Sequence, residues 1–243
     1  MFNEVHRAVM AIIAGTIVLG GCSRRQQAPP VANLSIAPPA AVAGVASGAS
    51  VGLNEGPPSA LTQIGESAED LFDAARTSKW GNAEASVQTL NESAGSLSGT
   101  GLKPDLVAQL TSRMADLEGS VKARRRVQSM DSANSITHIV AELSAPYQAE
   151  IPYKIVLLDY YGRQIELGLA ASSPSMLKQA TAELRQTWNS IEPSILRRGD
   201  VEDARRFTDI VVQIEGAKRP ADVVRPVRAE LAAVDRLEKI FTP

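Results

Sequence analysis

Reactive side chains are scarce in this sequence. There is one cysteine, there are two histidines, and aromatics make up 4% of 243 residues. A single cysteine excludes an intrachain disulfide, a CxxC redox pair and a cysteine-rich zinc site. An excess of one charge is missing as well: 25 basic residues face 27 acidic ones, a formal net charge of −2. That balance offers no cationic surface to displace counterions from phosphate, so no nucleic-acid partner is expected. No GxSxG elbow marks a nucleophile, and a hydrolytic triad would have to use His138 as its base. No glycine-rich phosphate loop follows a strand. The chain is therefore read as non-enzymatic and without a cofactor. What remains is ample apolar material, 44% of the residues, enough for a packed core.

The N-terminus carries an address. Arg7 precedes an uncharged run from Ala8 to Gly21, 14 residues long. A membrane-crossing helix needs roughly 17–25 apolar residues, so this run fits a secretory signal rather than a permanent span. It ends in Leu19-Gly20-Gly21-Cys22. An aliphatic residue, two small residues and a cysteine in that order resemble the lipobox of bacterial lipoprotein precursors. The resemblance covers residues 1–22 alone. It implies a signal peptide over residues 1–21, cleavage between Gly21 and Cys22, and acylation of Cys22 by diacylglyceryl and palmitate-type chains. It further implies a protein held on the lipid bilayer of a bacterial cell membrane, facing the periplasm. Ser23 follows the cysteine, which under the enteric sorting rule favours the outer membrane of a Gram-negative cell.

Residues 22–65 read as a tether. Ala, Pro, Gly and Ser fill 23 of the 33 positions from 28 to 60, and no charge occurs between Arg25 and Glu55. Paired prolines at Pro29–Pro30, Pro38–Pro39 and Pro57–Pro58 oppose helix, and so polar and small a segment is expected to stay disordered. A chain of this length spans roughly 35 Å, which suits a spacer.

Residues 66–243 read as one all-α domain, an up-and-down bundle of about six to seven helices. Ser67 opens the first helix, with acidic Glu69 and Asp70 in its first turn, and Trp80-Gly81 interrupts it before a second. Pro104 and Pro174 suit the first position of a helix. The stripe from Leu106 to Val121 resumes at Met130 and runs to Leu143, which fits one long helix over 104–145 or two joined near Gln128, and the single helix is preferred. Residues 153–170 admit a hairpin, but no third strand is visible and an isolated hairpin is marginal in water, so helix is preferred. Gly199 is a left-handed terminator and Asp200 a cap. Pro226 is expected to start the last helix. The basic run from Lys122 to Arg126 reads as a solvated helix face, with contact to anionic lipid or wall polymer the lesser expectation.

Two constellations stand out. Tyr147, Tyr153, Tyr160 and Tyr161 are all the tyrosines of the chain and fall within 15 residues. Together with Arg163 they form the candidate surface for an unidentified envelope protein or ligand, because tyrosine joins an apolar ring to a polar tip. Asp159, Arg163 and Glu166 share one helical strip and can pair along it. The alternative is a periplasmic small-ligand or metal-binding module. It would use His138, Glu142, Asp159 and Glu166 as ligands, if two antiparallel helices bring them together.

Overall fold

The computed structural model of the chain describes residues 56–97, 100–147 and 150–241. The acylation and cleavage positions, Cys22 and Gly21, and most of the expected tether lie outside these residues. Among the described residues there are eight α-helices, one short 3-10 turn and no strand. The all-α expectation is met, with more helices than the six or seven expected. They are α1 (Ser59–Arg76), α2 (Trp80–Gly95), α3 (Pro104–Lys122), α4 (Arg126–Ser144), α5 (Glu150–Ala170), α6 (Pro174–Arg198), α7 (Val201–Gly216) and α8 (Pro220–Phe241); the 3-10 turn is Ala145–Tyr147. None of the described helices is long and apolar enough to cross a membrane.

Helix packing divides these elements into two sets of four. In the first, α1 packs against both α2 and α4, and α3 packs against α4 and α2. In the second, α5 packs against α6 and α8, and α7 packs against α8 and α6. Contact between α4 and α5 joins them. Each set encloses its own core. The first is built from Leu61, Ile64, Leu71, Phe72, Leu90, Leu117, Met130, Ile136 and their neighbours, with Leu167 of α5 reaching in. The second centres on Trp188 and Phe207, surrounded by Leu158, Leu184, Ile191, Ile195, Val211 and Val227.

The expected boundaries held where backbone chemistry is strongest. Pro104 and Pro174 occupy helix N-termini, and Ser173 caps α6 by accepting from the Met176 amide at 3.4 Å. Gly199 ends α6 with φ 94°, a conformation that costs glycine nothing. Asp200 precedes α7, although its side chain makes no capping hydrogen bond.

Four expectations are corrected. The first helix starts at Ser59, directly after Pro58, rather than at Ser67, because Ala60, Leu61 and Ile64 already face the core. Residues 104–145 are two helices. The break falls at Arg124, which adopts φ 52° without being glycine. The Arg124 amide donates to the Val121 carbonyl and the Arg125 amide to the Ser120 carbonyl, both at 2.9 Å, so the turn satisfies carbonyls that the helix end leaves open. The basic run is consequently a corner at the negative end of α3, where cations are favoured. Last, α8 begins at Pro220, and Pro226 lies inside it. A proline in the interior forgoes one backbone hydrogen bond, and the apolar face of α8 offsets that cost here.

The tyrosine face and the charged junction

Helix α5 is shared by the two sets and carries most of the residues singled out above. Its sides do different things. Tyr160 and Tyr161 are half-buried on the side toward α4 and α6. The Tyr160 ring lies 4.6 Å from the His138 ring of α4 and meets Tyr161 edge-on at 5.1 Å. The Gln164 amide donates to the Tyr160 hydroxyl at 2.9 Å. A cavity of about 170 Å³ opens beside them, lined by Tyr160, Tyr161, Gln164, Met176, Gln179, Ala180 and Glu183. Burial, Glu183 and the neighbouring tyrosines push the Tyr161 hydroxyl up to about 12. Burial likewise raises Tyr160, against the opposing hydrogen bond from Gln164, and burial with Glu142 raises Tyr153. These phenols are therefore neutral and keep their protons at physiological pH. Tyr153 is half-buried in the first turns of α5, and Tyr147 is half-buried at the end of the 3-10 turn.

The opposite side of α5 faces α1 and α8 and is charged. Arg163 is buried, so it does not belong to the tyrosine surface as expected from the sequence. Its Nε donates to Asp159 Oδ2 at 2.7 Å, and its two terminal nitrogens lie 3.4 Å from Glu69 Oε2 and 3.7 Å from Asp73 Oδ1 of α1. The guanidinium carbon sits 5.3 Å from the centre of the Phe72 ring, a cation–π placement. Glu166 lies 3.4 Å from Arg76 Nε of α1. The strip Asp159, Arg163 and Glu166 thus ties α5 to α1 rather than facing solvent.

Acids outnumber bases in this junction. Glu230 of α8 is fully buried and neither carboxyl oxygen has a hydrogen-bond partner. Burial, with Asp159 and Glu166 nearby, holds its carboxyl well above the ordinary carboxylate range despite Arg163. Glu69 is pushed up to about 8 by burial and by Asp159, against the pull of Arg163. Burial also raises Asp159 and Glu166 against their arginine partners. Glu230 reaches this position because α5 presents Gly162 to it. A Cβ at residue 162 would land on Glu230 Oε2 and 2.8 Å from Leu231 Cδ2.

The four residues named as metal ligands do not converge. Nε2 of His138 lies 3.9 Å from Glu142 Oε1 on the same helix, and its ring stacks on Tyr160. Asp159 is taken by Arg163 one turn along α5, and Glu166 faces Arg76 of α1. Among the described residues no group of three or more His, Cys, Asp or Glu side chains is arranged to hold a metal ion. Guanidinium neighbours account for the failure, since they occupy the carboxylates and repel a cation.

Sequence reasoning missed Glu69, Asp73 and Arg76 on α1, Glu230 on α8, and the cavity residues Met176, Gln179 and Glu183 on α6. Only Glu230 left a signal. It falls between Val227 and Val234 at spacings of three and four, a carboxylate on an apolar stripe. The others depend on which helices meet. Among known proteins, no family model, curated protein or solved structure matches this chain.

Proposed function

We propose that this protein is a lipid-anchored component of the bacterial cell envelope whose helical domain, an up-and-down bundle, acts by binding a partner. The lipobox-like Leu19-Gly20-Gly21-Cys22 supports the anchor, with acylated Cys22 in the bilayer and the residues up to Pro58, where α1 begins, as the spacer. The binding surface is the tyrosine-bearing side of α5, with Tyr153, Tyr160 and Tyr161, together with Tyr147 of the preceding 3-10 turn. One observation carries this reading: in a chain so poor in aromatics, two of the four tyrosines line the same small cavity. Half-buried tyrosines with neutral hydroxyls suit recognition, because they bring contact area at small entropic cost and leave a polar tip for specificity. Catalysis is not part of the proposal.

In-cell photo-crosslinking tests the reading. A photoreactive residue placed at Tyr153 in the full chain is expected to yield one discrete crosslinked species in the membrane fraction. The Cys22→Ser variant should lose that species together with its membrane association. Absence of any adduct from position 153 would remove the binding surface, and unchanged fractionation of Cys22→Ser would remove the anchor.

A further inference from the structure

We infer that the end of the first helix set remote from the start of α1 is a docking face for an anionic phospholipid bilayer. This goes beyond the tyrosine surface and rests on the chain being held at a membrane, as proposed above. Packing defines that end. Gln63, early in α1, accepts a hydrogen bond from Ser93 late in α2, and Gly65 lies against Val140 late in α4. Helices α2 and α4 therefore begin at the other end, where α1 and α3 finish. Two corners belong to it, residues 77–79 between α1 and α2 and residues 123–125 between α3 and α4. Each is turned by a left-handed residue, Ser78 at φ 57° and Arg124 at φ 52°.

Charge is concentrated on these corners. Lys79, Lys122, Arg124, Arg125 and Arg126 are all exposed, and none makes an ion pair among the described residues. Glu84, Glu118 and Asp131 are the nearest acids in sequence, each at least one turn back along its helix. The near-neutral total of the chain hides this local excess. Helix electrostatics accounts for only part of it. Lys122 and Arg124 sit at the negative end of α3, where cations are favoured. Lys79 and Arg125 instead hold the N-cap positions of α2 and α4, with Arg126 next, and neither helix has an acid in its first turn. Cations at those positive ends weaken the fold, and an anionic surface relieves the repulsion. An aromatic residue favours a bilayer over a dissolved polyanion. Trp80 opens α2 beside Lys79, half-buried against the first core, and its indole N–H has no hydrogen-bond partner among the described residues. Indole rings and basic side chains together suit the headgroup layer. The opposite end carries Glu66, Glu92, Asp105 and Glu142 against Lys103, and anionic lipid would repel it. Helix α1 is about 27 Å long, and a spacer of roughly 35 Å can bring its far end back to the membrane.

The test adds the full chain, purified from bacterial membranes, to vesicles of phosphatidylcholine alone or with phosphatidylglycerol as about one-third of the lipid. A lipid spin-labelled at its headgroup quenches tryptophan emission at close range; Trp188, fully buried in the other set, is out of its reach. Quenching is expected to be at least threefold stronger in the anionic vesicles and to vanish in Trp80→Phe. Salt at about 0.5 M should bring it down to the neutral-vesicle level. The triple variant Arg124→Glu, Arg125→Glu, Arg126→Glu should abolish the difference. Lys79→Glu on the other corner should reduce it independently, which guards against misfolding of either variant. Equal quenching in both vesicles, or a difference that survives salt, overturns the inference. So does loss of quenching when poly(glycerol phosphate) is added at less than the lipid phosphate concentration, since that would assign the face to an envelope polymer. Flotation keeps the two readings apart. A chain that floats with both vesicles while Trp80 shows no preference keeps the anchor and loses the docking face. A chain that floats only with the anionic vesicles keeps the face and loses the anchor.

Discussion

The two sets of four helices fill their interiors with different materials. The first is aliphatic and fine-grained: Ala60, Ala68, Ala74 and Ala75 are buried on α1 alone, and Phe72 is its one fully buried aromatic. Small residues let helices approach closely, as where a Cβ at Gly65 would touch Val140 Cγ1 at 3.4 Å. The second set is built around one large contact, Trp188 against Phe207 with ring centres 4.4 Å apart. The Trp188 indole donates to Thr208 at 2.9 Å, and Thr208 in turn donates to Glu192 at 2.7 Å. One set spreads its packing over many small contacts; the other concentrates it. The seam where α5 meets α1 and α8 is neither, being made largely of charge.

The sharpest way to separate the two is Trp188→Ala. Loss of so large a buried side chain is expected to cost about 3–5 kcal/mol in urea unfolding. Hydrogen-exchange protection should fall mainly in α5–α8. A loss spread evenly over α1–α4 would mean the two cores behave as one.

The seam is probed next. Gly162→Ala forces a methyl onto the Glu230 carboxyl and is expected to destabilise by about 1–3 kcal/mol. Glu230→Ala opens space, so the double variant should be more stable than the sum of the two losses predicts. Simple additivity would show that the close approach of α8 to α5 is energetically idle.

A smaller effect follows from the raised carboxyls. Glu69, at about 8 when folded and near 4.5 otherwise, binds its proton more tightly in the folded state, as does Glu230. Their contribution is fully present below pH 4.5 and is lost as pH rises through the folded values. The melting temperature should therefore fall between pH 4.5 and pH 8, the reverse of ordinary acid denaturation. Glu230→Gln, neutral at every pH, should flatten part of that slope. A melting temperature that climbs across the same interval would show that these acids are ionised in the folded protein.

The same contrast explains what the sequence made legible. Apolar spacing, the prolines at 104 and 174 and the glycine at 199 act locally, and each left its mark on α3 or α6. The corner at Arg124 could not be read, because nothing in Ala123-Arg124-Arg125 resembles a terminator. Packing of α3 back onto α4 imposes the left-handed residue there. Similar corners occur at Ser78 and Ser172, again without glycine. The tyrosines were visible as a cluster, but their cavity needs α6, and Arg163 was assigned to the wrong side of α5. Its partners Glu69 and Asp73 stand some ninety residues away, beyond any helical periodicity. Adjacent charges on a strip look alike whether they face water or another helix.

The division into two sets also orders events in time. Apart from Leu167, every buried residue of the first core precedes Ser144, so that core has all but one of its parts while α5–α8 are still being synthesised. Domains close in the order in which they leave the ribosome. Glu230 meets Gly162 only once α8 exists, which makes this carboxyl among the last groups to lose its water.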